Sequence, residues 1–183
     1  EPKDVRGVHK GARAPSDRRK IGDGNVRKDR SRYNRAGGYE GVYEAKMAAI
    51  IRLGVEAEKP VFSTDQFGEY AAAITLIPGV YDVAMRGSPK CSEVFGHKTT
   101  ARNVAAIIRQ RDDYTPGTLV RLLSCETGKG EECFAQSLAH ELRVEVSAPN
   151  DILWARNNHS FTVGASRYEN TGKMETFKAR ENK

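Results

Sequence analysis

From Tyr81 to Pro149 the chain switches between two hydrophobic periods. The apolar run Tyr81-Asp82-Val83-Ala84-Met85 breaks into Arg86-Gly87-Ser88-Pro89, and the span Thr99 to Arg111, with Thr99 or Thr100 at its cap, then turns Val104, Ile107 and Ile108 to one side at helical spacing. The run Leu119 to Leu123 breaks into Ser124-Cys125-Glu126-Thr127-Gly128, and a second helical span, Glu131 to Leu142, sets Phe134, Leu138 and Leu142 in line, with Ala135 and Ala139 beside them. Val144 to Ser147 is a third short run, ending at Ala148-Pro149. Strand, helix, strand, helix, strand predicts a parallel sheet with crossover helices. The near-continuous apolar character of Leu119 to Leu123 predicts a central strand covered on both faces. In such sheets ligands gather beyond the carboxyl ends of the strands, where Arg86-Gly87-Ser88 and Ser124-Cys125 fall.

The flanks are less regular. Val42, Met47, Ile50 and Ile51 recur at helical spacing within Tyr39 to Leu53, with Gly54 as a natural stop. Pro60 to Phe62 suits a short strand. Ser63-Thr64-Asp65-Gln66 has the form of a helix start, with Ser63 at the cap and Gln66 three residues on. A helix from Thr64 to Leu76 is expected next, ended by Pro78-Gly79, although Ala72 to Ile77 also suits a strand. Asp112 to Gly117 is a loop. Beyond Pro149, Asp151 to Trp154 suits a strand or an ordered loop. Phe161 to Val163 and Met174 to Phe177 suit a hairpin, a small β appendage.

Charge divides the chain. Residues 1–38 hold twelve Lys/Arg and five Asp/Glu, a net of +7, against +6 for the whole chain; the remainder is near neutral at −1. The overall apolar share of 38 % is low because of this arm, which has too little apolar surface to offset its ordering entropy. Two segments are therefore expected: a basic arm or linker over 1–38 and an α/β domain over 39–183. Arg18-Arg19-Lys20 and Arg27 to Arg32 offer phosphate contacts, yet Tyr33 alone interleaves the arm's charges, which is poor support for a stacking platform. No run of 18 apolar residues is present, so no membrane span is expected. A chain that starts at Glu1 rather than Met reads as a piece of something longer.

Three cysteines without metal-type spacing make neither a disulfide framework nor a zinc site. No phosphate loop, His-x-x-x-His or Gly-x-Ser-x-Gly element occurs, and no cofactor or metal is expected. Cys125 is the leading candidate for chemistry. It lies just past a buried strand, where turn N–H groups and a helix end favour a thiolate and then an oxyanion; its bland alternative is a small buried residue. Gly87 lets backbone approach a substrate, and Arg86 suits an anion or a solvated strand end. Of the four histidines, His9 lies in the arm and His140 in a helix, while His97 and His159 occupy loops that can approach Cys125. Cys91 and Cys133 look incidental, although Cys91 lies in a loop that can face Cys125.

These places resemble the caspase-like cysteine peptidases: caspases, gingipains and the autoprocessing domains of large bacterial toxins. Those have one strand ending in His-Gly and the next followed by Cys. Here the two places read Arg86-Gly87-Ser88-Pro89 and Ser124-Cys125. The wording is closer to caspase-like domains of large bacterial surface and secreted proteins, with their His-Gly-Ser-Pro stretch, Phe-Ala-Gln-x-Leu-Ala helix and strand ending in Ala-Pro. This chain has Phe134-Ala135-Gln136-Ser137-Leu138-Ala139 and Val144 to Pro149. Similar segments close bacterial polymorphic toxins. The resemblance covers Tyr81 to Trp154. It implies Cys125 as nucleophile, the N–H groups of Gly87 and Cys125 as oxyanion hole, and a general base at the residue before Gly87. That residue is Arg86, which stays protonated. Three readings stay open: an inactivating His-to-Arg change, another histidine in the role, with His97 the first choice, or lost hydrolysis with binding retained.

The fold expected is thus α/β, a mostly parallel sheet of four to six strands with helices on both faces, caspase-like. The function expected is a C-terminal effector or toxin domain of a larger bacterial secreted protein, acting in a target-cell cytoplasm on a peptide or other acyl substrate and opposed by a cognate immunity protein. The alternatives are a nucleic-acid-directed toxin that uses residues 1–38 and Arg86, with Cys125 structural, and a catalytically dead binding module.

Overall fold

The computed structural model describes residues 38–181. Its compact unit is Tyr43–Lys183; of the other unit, Glu1–Val42, only the first helical residues, 38–42, are described. The basic arm expected over residues 1–38 therefore lies, Gly38 apart, outside the described residues. No described helix is long and apolar enough to cross a membrane.

The fold is α/β. In chain order the elements are α1 (Gly38–Glu56), α2 (Gln66–Ala72), β1 (Val80–Ala84), β2 (Arg86–Gly87), β3 (Ser92–Val94), β4 (His97–Thr99), α3 (Ala101–Gln110), β5 (Leu119–Leu123), α4 (Phe134–Leu142), β6 (Val146–Pro149), β7 (Leu153–Ala155), β8 (Phe161–Val163) and β9 (Met174–Phe177). The main sheet runs β1-β5-β6-β9. β1, β5 and β6 are parallel, with Val83 opposite Leu122 and Val120 opposite Val146, and β9 is antiparallel to β6. β2, β3 and β4 form a separate antiparallel sheet, and β7 and β8 a hairpin.

Alternation along the strands sends neighbouring side chains to opposite faces. Val83, Val120, Leu122 and Val146 join one core with Ile50 of α1, Val104, Ile107 and Ile108 of α3, and Phe134 and Leu138 of α4. Ala84 and Leu123, one residue on, join a second core with Ala71 of α2, Ile74 and Leu153 of β7. Both faces are thus covered, and β5 is central and buried from Val120 to Leu123, as its composition predicts.

Several boundaries differ from expectation. α1 runs through Gly54 to Glu56; a Cβ at Gly54 would lie 2.7 Å from Ile107 Cδ1, so this glycine lets α3 approach rather than ending the helix. The cap of α2 is Asp65, not Ser63, and the helix stops at Ala72, with no strand over Ala72 to Ile77. A Cβ at Gly68 would lie 2.0 Å from the Ser63 carbonyl oxygen, so the entry to this helix is tight. α4 begins at Phe134, later than the periodicity suggests, with Cys133 at the N-cap position and no side-chain cap bond, whereas α3 begins at Ala101 behind the expected cap Thr100. β6 starts at Val146 because Arg143, in the left-handed region at φ 57°, turns the chain first. Phe161 to Val163 pairs with Leu153 to Ala155 in a small two-stranded sheet, whereas Met174 to Phe177 joins the main sheet: the β appendage is β7–β8, and the expected pairing of Phe161 to Val163 with Met174 to Phe177 does not form.

Candidate functional site

β1 and β5 lie side by side, so the turns leaving the two strands meet. Met85 N–H donates to the Leu123 carbonyl at 3.3 Å, carrying the pairing past the end of β1. Gly87 then packs onto the turn after β5. A Cβ there would fall 2.2 Å from Ser124 Oγ, 2.6 Å from Thr127 Cγ2 and 3.1 Å from the Cys125 carbonyl oxygen. Only glycine fits so close a backbone approach. The turn is built tightly. Thr127 Oγ1 donates to the Ser124 carbonyl at 3.0 Å, and Glu126 holds a left-handed φ of 56° while its N–H donates to the Asp151 carbonyl at 3.0 Å.

Cys125 and Arg86 line one cleft of about 720 Å³. Its wall on the α2 side carries Asp65, Phe67 and Tyr70; the other wall is the segment Ile152 to Asn158, with Arg167. Cys125 Sγ donates to the Leu153 carbonyl at 3.7 Å. Burial pushes the thiol above its ordinary 9.0, although the Leu153 hydrogen bond and the Arg86 charge act the other way. The depressed thiol expected from the strand-end position is therefore not found. α4 begins only at Phe134, its Ala135 N–H donates to the Thr127 carbonyl at 2.9 Å rather than to Sγ, and desolvation prevails.

Arg86 is occupied. Its Nε donates to Asp65 Oδ2 at 3.0 Å, its Nη2 donates to the same oxygen, and its guanidinium lies over the Phe67 ring, 5.1 Å from the centroid. With Arg86 and the Ser63 hydroxyl as donors, the Asp65 carboxyl is held down to about 2. Neither partner is free to accept a proton at neutral pH. Ser88 serves a turn: its N–H donates to the Cys91 carbonyl at 2.9 Å, and its Oγ accepts from Cys91 N–H at 3.2 Å and lies 3.2 Å from Cys91 Sγ.

The described histidines are elsewhere. His97 opens β4 rather than lying in a loop, because Arg86 to Thr99 folds into the antiparallel sheet. It lines a separate groove with Met47, Ile50 and Cys91, a groove that does not include Cys125. His159 is spent on structure, its Nδ1 2.8 Å from the Ala73 carbonyl oxygen and its own carbonyl accepting from Thr75 N–H at 3.0 Å. His140 lies on α4; His9 lies outside the described residues. Among the described residues no group of His, Cys, Asp and Glu is arranged to hold a metal ion.

The structure thus brings Arg86, Gly87 and Cys125 together and leaves His97 and Ser88 at other contacts. Sequence reasoning missed Asp65, Phe67, Tyr70, Trp154, Arg156 and Arg167, all of which line the cleft. The signal that existed was Trp154, the chain's single tryptophan, just before Arg156-Asn157-Asn158. Asp65 was masked by its role in a helix start.

Known proteins offer three findings. The family described as Domain of unknown function (DUF8616) matches residues 57–163. The uncharacterized protein YibJ of Escherichia coli (strain K12) is 38 % identical over 60 residues, which are 32 % of this chain and 26 % of YibJ. The chain therefore spans about a quarter of that relative's length. No solved structure matches. The family match takes in β1 to β8, with both Arg86-Gly87 and Ser124-Cys125, and covers more than half of the sequence: the chain belongs to the family described as Domain of unknown function (DUF8616).

Proposed function

We propose that this chain is a C-terminal effector domain of a larger bacterial secreted protein, built around a caspase-like cysteine hydrolase site. Cys125 is the nucleophile, the N–H groups of Gly87 and Cys125 form the oxyanion hole, and Arg86 stands where such enzymes carry their general base. The observation that carries the reading is the approach of Gly87 to the Ser124-Cys125 turn, with Arg86 and Cys125 opening into one cleft. Two neighbouring parallel strands delivering a glycine backbone and a cysteine to one point is the arrangement that the resemblance requires.

The cleft suits an extended peptide. In the β7–β8 hairpin, Gly164 N–H donates to the Ile152 carbonyl and Arg156 N–H to the Ser160 carbonyl. Hydrogen-bonded pairs alternate along an antiparallel ladder, so the backbone groups of Leu153 and Ala155 face away from β8. The Leu153 carbonyl indeed meets Cys125 Sγ. An acyl substrate laid along that edge reaches the thiol.

With Arg86 paired to Asp65 and the thiol pushed up, no base among the described residues of the cleft is placed to take the proton of Cys125. On this reading the chain is an unarmed copy of the site, and a histidine at position 86 arms it. The test is growth of a bacterial host expressing the chain as it stands, its Arg86→His variant, and each with Cys125→Ala. Toxicity of the His version that disappears with Cys125→Ala supports the reading, and an immunity protein is then the partner to seek. Equal behaviour of all four versions overturns it. Toxicity in all four directs attention to nucleic acid and the basic residues of 1–38.

A further inference from the structure

We propose that Arg86 is an oxyanion receptor in the Cys125 cleft and that Asp65 is a built-in competitor which an anionic group of the ligand displaces. The proposal rests on the reading of this cleft as the functional site and adds the chemistry of its ligand and a control on its occupancy.

The geometry of the pair carries it. A guanidinium edge binds an oxyanion best through two parallel bonds to two oxygens. Arg86 does not get this from Asp65, because Nε and Nη2 both reach Oδ2. The other oxygen, Oδ1, accepts from Ser63 Oγ at 2.7 Å and from Gly68 N–H at 3.1 Å, where it caps α2. A carboxylate or phosphate arriving from solution presents two oxygens to the same fork. The two side chains are 50 % and 44 % exposed, so the pair is reachable and of the weak, water-screened kind. Phe67 beneath the guanidinium keeps it in place once Asp65 departs. The exchange also spares the helix, since the bonds to Oδ1 do not involve Arg86.

A second observation points to an anion. Arg156 and Arg167 line the same cleft, so among the described residues three arginines and one carboxylate, Asp65, line it. The Arg156 Nε is buried without a hydrogen-bond partner among the described residues, while its Nη2 donates to the Arg167 carbonyl. A cleft lined by a surplus of positive residues is complementary to a negatively charged ligand.

Trp154 gives the readout, because it lines the cleft and is the chain's single tryptophan. Its fluorescence is titrated at low salt with glutarate and, separately, inorganic phosphate, using the full chain. Asp65→Asn keeps a capping side chain and removes the competing charge; it should tighten anion binding about three- to fivefold, the yield of releasing an exposed ion pair. Arg86→Gln should weaken binding at least about tenfold. Glu69→Gln, an acid of α2 that does not line the cleft, should change nothing. Saturation by glutarate alone assigns the seat to carboxylate, and by phosphate alone to phosphate. No saturation by either anion, an unchanged affinity in Asp65→Asn, or equal tightening in Glu69→Gln overturns the proposal. The host-growth experiment reads Cys125 chemistry and this titration reads Arg86 occupancy, so the two readings fail separately.

Discussion

Cys125 shows how little residue type says about reactivity. The thiolate is the nucleophile, and burial penalises the charged form, so the thiol titrates above its ordinary 9.0. Alkylation of Cys125 by iodoacetamide, followed by peptide mass spectrometry, should therefore be slow at pH 7 and rise about tenfold per pH unit to beyond pH 9. Arg86→Gln removes a charge that favours the thiolate and should move the profile further alkaline. A plateau already reached at neutral pH would contradict both statements. Gly87 makes the complementary point: its function lies in what it lacks, since the missing Cβ is the space that Ser124 and Thr127 fill.

At the scale of elements, boundaries follow local chemistry more than hydrophobic period. α3 starts where Thr100 Oγ1 accepts from Asn103 N–H at 3.3 Å, so the hydroxyl and not the apolar spacing, which begins only at Val104, sets the first turn. Thr100→Ala should cost about 1 kcal/mol, read as a lower urea midpoint at unchanged m-value; an unmoved midpoint would remove Thr100 from the account. α2 is only seven residues long, and its cap, Asp65, is shared with Arg86 of β2. One carboxylate thus defines a helix start and a wall of the cleft.

At the scale of the molecule, a buried guanidinium ties distant segments together. The Arg111 side chain is 4 % exposed. It donates to the Gly54 carbonyl at 2.7 Å, the Ala57 carbonyl at 2.8 Å, the Tyr81 hydroxyl at 3.1 Å and the Asp113 carboxylate. It therefore satisfies carbonyls at the end of α1, where the helix has no basic residue of its own. Arg111→Met leaves those acceptors dry and should destabilise the fold by about 3 kcal/mol in urea unfolding. Arg111→Lys should recover only part of this, because an ammonium lacks the planar fork. A loss below about 0.5 kcal/mol, the range of an ordinary surface change, would show the network to be dispensable.

What the sequence determined by itself is the β1–α3–β5–α4–β6 order and the placing of Gly87 and Cys125 at strand ends, because these depend on short-range period and on which runs are apolar throughout. The central position of β5 was legible for the same reason. Tertiary structure decided the rest. β9 reaches the main sheet and β8 turns to β7 because pairing depends on which edges lie open in space, and short runs such as Phe161 to Val163 carry no register of their own. It decided that His97 opens β4, away from the cleft, and that Asp65, 21 residues before Arg86, is its partner. It also pushed the Cys125 thiol up, since burial is a property of what packs around Sγ, and no spacing along the chain encodes that.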